Sequence, residues 1–160
     1  MIKKINPYRP TDDKARALAR DLITTARFGA LAVRDPGNGN PMVTRIAVVP
    51  GPDLAPVTLI SDLSGHSAAL AAHPVCSLLL GEPGAKGDPL THPRITLQCV
   101  AKATDKQALK THYLRHYPKA QLYYDFGDFR MMRFQVTTAF LNGGFGTAYR
   151  LTPDDLIQHG

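Results

Sequence analysis

The sequence predicts a mostly β fold: an antiparallel barrel or sandwich with a few peripheral helices. Three observations lead there. Six apolar runs of strand length follow one another along the chain, most of their connections are short turns rich in Gly, Pro, Asn and Asp, and helical periodicity appears only at intervals. Short links require antiparallel neighbours, because a parallel pair needs a crossover of roughly a dozen residues or more. A chain of 160 residues supports one domain with a sizeable core, taken as 1–160.

Taken in order, residues 11–26, TDDKARALARDLITTA, predict a helix. Thr11 or Asp12 can cap it, acids occupy its first turn, and Ala15, Leu18, Ala19, Leu22 and Ile23 recur at helical spacing. Residues 28–33 form the first strand, and DPGNGN at 35–40 turns the chain with residues that tolerate positive φ. The second strand covers 42–49, PGPDLAP at 50–56 is another turn, and 57–61 is the third strand. A short alanine-rich helix starts near Ser64, and the fourth strand covers 75–80. The Gly/Pro loop GEPGAKGDPLTHP at 81–93 leads to a long fifth strand at 94–104. Residues 105–117 read as an amphipathic helix that Pro118 stops. The sixth strand, 129–141, ends at Gly143-Gly144, and a last helical turn opens with Thr152 as cap and Pro153 behind it.

Composition narrows the function. The net charge is +6 with a pI near 9.5, which favours anionic partners. The basic residues are scattered and no nucleic-acid motif is present, so a small anionic ligand is expected in place of DNA or RNA. No apolar run nears the roughly 20 residues of a membrane helix, and MIKKINPYRPTDD lacks the apolar core of a secretion signal. The expectation is a cytoplasmic protein without a membrane partner. Cys76 and Cys99 lack CxxC or CxxH spacing and read as small buried hydrophobes, not zinc ligands.

Candidate chemistry gathers in SDLSGHSAAL, residues 61–70. A helix starting near Ser64 turns its first backbone N–H groups toward the end of the third strand, and such a terminus attracts phosphate or carboxylate. Ser61, Ser64 and Ser67 add hydroxyl donors, His66 adds a ring N–H or a charge, and Gly65 admits close approach to the backbone. On the second strand, PMVTRIAVV, Thr44 and Arg45 are polar in an apolar run and point to opposite faces. A guanidinium there suits a phosphate better than a lysine does. No nucleophile–base pair or carboxylate dyad points to hydrolysis.

The order helix, hairpin with internal Arg, strand, SxLSxHSxxL turn, HPVCSLLL strand and PRITLQCVAKA resembles the pyridoxamine 5'-phosphate oxidase-like FMN-binding split barrels over roughly residues 11–150. GDPLTHPRITLQ, YYDFGDFRMMRF and FLNGGFGTA are similar to the haem-utilisation branch of that family. The resemblance implies a six-stranded antiparallel split β-barrel that forms a homodimer, with two FMN or haem sites at the subunit interface. In FMN-binding members the phosphate is gripped from the second strand and from the turn after the third. The matching positions here are Arg45, beside Thr44, and Ser61, Ser64, His66 and Ser67, with Gln98 on the fifth strand near the flavin. The implied activity is a flavin-dependent oxidoreductase, with a haem-binding or haem-degrading protein, or a non-catalytic anion-binding barrel, as alternatives.

The chain departs from true pyridoxamine-phosphate oxidases. Pro50 and Gly65 stand where they carry basic residues, and the C-terminal Trp and Arg-x-His-x-Arg pattern is missing, so vitamin B6 oxidation is not expected. For haem, the branch places its axial histidine beyond the GGFG motif, which here leaves His159. Asp125 and Asp128 read as turn residues, His92, His112 and His116 as surface histidines, and His73 as the end of its helix. Gly143, Gly144 and Gly146 suit a tight bend around Phe145.

Overall fold

A computed structural model describes residues 4–157. Helix α1 (Asp13–Thr24) is capped by Asp12, whose carboxylate accepts from the Ala15 N–H at 2.7 Å. Strands β1 (Phe28–Arg34), β2 (Pro41–Ala47), β3 (Val49–Pro50) and β4 (Pro56–Ser61) follow, then α2 (Gly65–Ala72), β5 (Val75–Leu80) and β6 (Arg94–Ala103). Helix α3 (Lys110–His116), β7 (Phe129–Asn142), β8 (Ala148–Leu151) and the short α4 (Pro153–Leu156) complete the chain. No helix among the described residues is long and apolar enough to cross a membrane.

All strands join one antiparallel sheet in the order β2-β1-β5-β6-β7-β4-β3, with β8 added to β7. The path opens with β2 and ends with β3, and only Val48 separates the two in the chain. The sheet therefore curls round on itself. Across the meeting edges the Thr58 hydroxyl of β4 donates to the Ala47 carbonyl at 2.6 Å, which satisfies a fully buried polar side chain.

Curling gives the sheet an inner and an outer face, and side-chain alternation sorts residues between them. Leu31, Val33, Ile46, Val48, Ile60, Leu78, Leu80, Ile95, Leu97, Phe134 and Leu141 fill the inside, joined by Ala15, Ala19 and Ile23 of α1. A second cluster, Val49, Val57, Leu59, Met131, Tyr113 and Tyr124, lies where α3 and the turn after it cover β4 and β7. Strand β4 is thus buried on both faces, which explains its unbroken apolar run. Each large side chain so buried contributes about 1.5–3 kcal/mol relative to exposure.

The observed sheet differs from the expected six strands in two places. The run 42–49 is interrupted at Val48, where the chain turns from pairing with β1 to pairing with β4. Strand β8 is additional: AYRL is too short to signal a strand and owes its conformation to pairing with Ala139–Asn142 of β7. Helix α3 starts at Lys110, not 105, because the Asp105 carboxylate accepts from the Ala108 N–H and holds a turn there.

Candidate functional site

Ser61 ends β4 and Ser64 is the N-cap of α2. The Ser61 hydroxyl donates to Asp128 Oδ2 at 2.9 Å and accepts from the Leu63 N–H at 3.2 Å. The Ser67 hydroxyl donates to the Ser61 carbonyl at 2.6 Å. These two serines therefore lock the strand–helix corner. Ser64 makes no side-chain capping bond, and no hydrogen bond among the described residues engages the Gly65 or His66 amides. Those donors are available to an anion. Arg130 is the cation at this corner, paired to Asp62 at 2.6 Å.

Strand β2 divides the expected grip. Thr44 faces inward, where its hydroxyl meets His66 Nδ1 at 3.1 Å. Burial of the imidazole holds its pKa below the ordinary value. Arg45, one residue on, faces outward, with its guanidinium 5.3 Å from the centre of the Phe28 ring. No hydrogen bond or ion pair among the described residues joins Arg45 to 61–67. The single chain brings Thr44, His66, Ser61, Ser64 and Ser67 together and sets Arg45 on the opposite face. Arg45 lines a hollow of about 320 Å³ with Phe28, Leu79 and Glu82, and Arg27 bridges to Glu82 beside it at 2.8 Å.

The outer face carries the remaining candidates, Arg45 and Gln98. Pairing across the sheet aligns Arg45, Ala30, Leu79, Thr96, Phe140 and Arg150 in one row. The adjacent row is Val43, Ala32, Ser77, Gln98 and Thr138. A bulge at Gln98/Cys99 sets Thr137 out of register, and its hydroxyl donates to the Gln98 carbonyl at 3.1 Å. Gln98 is exposed and lines a hollow of about 560 Å³ with Ala32, Ser77 and Thr137. Small side chains thus floor this face, while Val43 (65% exposed), Val75 (70%) and Leu79 (46%) present apolar surface. At the far end Arg150 stacks on Phe140 at 5.6 Å, and Tyr8 lies 6.0 Å from the same ring.

Other candidates have structural roles. Asp125 pairs with Lys110 at 2.8 Å. His92 accepts from the Gly84 N–H at Nδ1 (2.6 Å) and lies 2.8 Å from the Lys86 carbonyl at Nε2, which folds the 81–93 loop around it. His112 lies 2.7 Å from the Pro50 carbonyl, His116 lies 2.9 Å from the His112 carbonyl, and His73 closes α2. Gly144 and Gly146 adopt positive φ (123° and 72°) in a turn closed from the Gly143 N–H to the Thr147 carbonyl, and Phe145 stands fully exposed at its tip. Both cysteines are free and buried, as expected, and burial raises the Cys76 thiol to about 11. The described residues contain no cluster of three or more metal-ligating side chains. His159 lies outside the described residues. Sequence reasoning did not single out Arg130 or Arg150. Arg150 follows Tyr149 in a strand too short to show alternation, so only pairing to β7 reveals where it faces.

No family model matches the chain. The non-canonical heme oxygenase HOZ, a chloroplastic protein of Arabidopsis thaliana, is 37% identical over 106 residues, or 58% of this chain. The chain spans 31% of that relative's length. One solved structure is 39% identical with a TM-score of 0.89, covering 94% of this chain and 100% of its own. A heme binding protein from Mycobacterium smegmatis is 28% identical with a TM-score of 0.81, covering 92% of this chain and 60% of that one. A Clostridium acetobutylicum protein of the pyridoxinephosphate oxidase family shares the fold at 12% identity, with a TM-score of 0.68 over 91% of this chain and 99% of its own.

Proposed function

Because the chain belongs to the pyridoxamine 5'-phosphate oxidase-like split-barrel family, nearest its haem-utilisation branch, we propose that it binds haem on the outer face of its sheet. The site is closed by a second copy of the chain. One observation carries this reading: a floor of Ala30, Ala32, Ser77, Thr96 and Thr138 is bordered by apolar side chains and by two arginines stacked on aromatic rings. A flat, largely apolar macrocycle with acidic groups on its edge matches that chemistry. The heme oxygenase and heme binding relatives support the same ligand.

The residues present fit the organic part of the group. Arg45 and Arg150 would hold carboxylates, and Gln98 offers an amide to the ring edge. Bound haem supplies a redox-active iron. Val43, Val75 and Leu79, covered by a second copy, would exclude water from the ring. Exposed apolar surface of this kind fits a dimer interface. His66 is turned inward to Thr44; the resemblance to the haem-utilisation branch implies His159 as the iron ligand. A cytoplasmic location accords with two buried, unlinked cysteines.

A second reading has its own support. The unengaged Gly65 and His66 amides and the uncapped Ser64 suit the phosphate of FMN. A flavin-dependent oxidoreductase would use Ser61 and Ser67 to hold that corner and Arg45 and Gln98 on the other face.

Parallel titration decides between them. Purified protein is expected to develop a saturable Soret band with hemin, altered in His159→Ala, and to bind FMN no more tightly than riboflavin. A hemin spectrum that never saturates overturns the haem reading. Retention of FMN through gel filtration, with riboflavin lost, establishes the flavin one.

A further inference from the structure

His112 and His116 stand four residues apart in HYLRH, on one face at the end of α3. Their ring centres are 4.6 Å apart and the rings are tilted by 44°. Each ring turns one nitrogen to a backbone carbonyl. His112 Nε2 lies 2.7 Å from the Pro50 oxygen, and His116 Nδ1 lies 2.9 Å from the His112 oxygen. A carbonyl only accepts, so in the neutral rings the proton sits on each of these nitrogens. The opposite nitrogens, His112 Nδ1 and His116 Nε2, are then bare lone pairs, and no hydrogen bond among the described residues engages them. The other histidines differ: His92 has both nitrogens engaged in its loop, and His66 has Nδ1 turned to Thr44.

A ring in this state is prepared to bind a metal. A metal-ligating histidine donates its other N–H to a carbonyl or carboxylate, which fixes both the tautomer and the orientation of the ring. The spacing agrees. With the nitrogen about 2.0–2.1 Å from the ion, each ring centre lies roughly 3.2 Å from it. Two such bonds at about 90–110° put the ring centres roughly 4.5–5.2 Å apart. The observed 4.6 Å falls at the right-angled end of that interval. His116 is exposed and His112 half-buried, so an ion reaches the pair from solvent. Among the described residues no third metal-ligating side chain joins them, which leaves the remaining positions to water.

We propose that His112 and His116 form a two-histidine site for a divalent first-row transition metal, with water completing the coordination. Imidazole nitrogen suits copper, nickel and zinc, and copper binds most tightly of the three. Magnesium, which takes oxygen ligands, is not held. Through the Pro50 carbonyl the pair ties α3 to the end of β3, so a bound ion stabilises the cover over the second core cluster. The site shares no residue with the outer face and stands whether haem, flavin or neither binds there.

The test uses untagged, chelator-treated protein titrated with CuCl2, NiCl2, ZnCl2 or MgCl2, each alone, by calorimetry and thermal melting. One copper ion per chain is expected, held more tightly than nickel or zinc, with a raised melting temperature and no response to magnesium. The electron paramagnetic resonance spectrum of the copper-loaded protein is expected to show coupling to two imidazole nitrogens. His116→Ala, and His112→Gln, whose amide N–H can still donate to Pro50, are each expected to weaken binding by about 10- to 100-fold or more and to remove the rise in melting temperature. His159→Ala, the control for histidines outside the pair, is expected to bind as wild type does. Wild-type affinity in His116→Ala or in His112→Gln overturns the site. So does a copper spectrum coupled to fewer than two nitrogens, or loss of the ion in His159→Ala. Should His112→Gln fail to fold, the exposed His116→Ala and the wild-type spectrum still decide.

Discussion

Thr44 and Arg45 are neighbours in the chain and belong to different chemistries. The inner face of the sheet that Thr44 joins is filled: its apolar side chains interlock, and its polar groups have partners, as Thr58 with Ala47 and Thr44 with His66. The outer face that Arg45 joins is floored with small residues, bordered by exposed apolar ones, and carries two arginines that form no ion pair among the described residues, Glu82 beside Arg45 being paired with Arg27. One face completes itself within the chain. The other leaves Val43, Val75 and Leu79 exposed, and on the proposed function stability and binding should respond to different mutations.

The largest separation comes from paired core and surface truncations. Phe134 is fully buried at the centre of the inner cluster, and Phe134→Ala should lower unfolding free energy by about 3–5 kcal/mol in urea melts. Leu79→Asp on the outer face should leave the unfolding of the single chain within about 0.5 kcal/mol and, on the proposed two-copy reading, should lower the solution mass measured by light scattering. If Leu79→Asp destabilises the fold as much as Phe134→Ala does, the two faces are not energetically distinct.

A smaller effect probes how tightly the satisfied regions are built. The Tyr113 hydroxyl accepts from the Leu59 N–H at 3.4 Å in the second cluster, and burial raises its pKa strongly. Tyr113→Phe leaves that buried amide without its partner and should cost about 1–2 kcal/mol in the same melts. No change would mean that the amide finds another acceptor and that the long hydrogen bond carries no energy.

How far these faces could be read from the sequence follows the same division. Alternation in FGALAVR, VCSLLL and RITLQCV gives the inner residues directly, because burial selects apolar side chains at every second position. Alternation also placed Thr44 and Arg45 on opposite faces of β2. The convergence of Arg45 with 61–67 required more, namely which element lies over each face, and that depends on how β2 breaks at Val48 and the sheet curls. Ser61 and Ser67 resemble ligand donors in the sequence, yet their hydroxyls are used in tying β4 to α2. Arg150 was illegible for a different reason. Its orientation is fixed by register with Phe140, a contact ten residues away through a glycine turn, and no local pattern encodes it.

The smallest expected effect tests the one titratable group that the inner face shares with the candidate site. His66 is half-buried against Thr44, and desolvation lowers its pKa from 6.5. The unfolded chain therefore takes up the proton first as pH falls, so it binds more protons than the fold across the interval below 6.5. The stability tied to neutral His66 is complete above that value and declines as pH drops through it toward the folded pKa. Melting temperatures of wild type and His66→Gln, compared between pH 7.5 and 5.5, should show a steeper acid decline in wild type, because glutamine carries no ionisable group. The other histidines are common to both proteins and cancel in the difference. Parallel declines would mean that His66 is as free to protonate in the fold as in water, and the Thr44 side of β2 would then be no more closed than the Arg45 side.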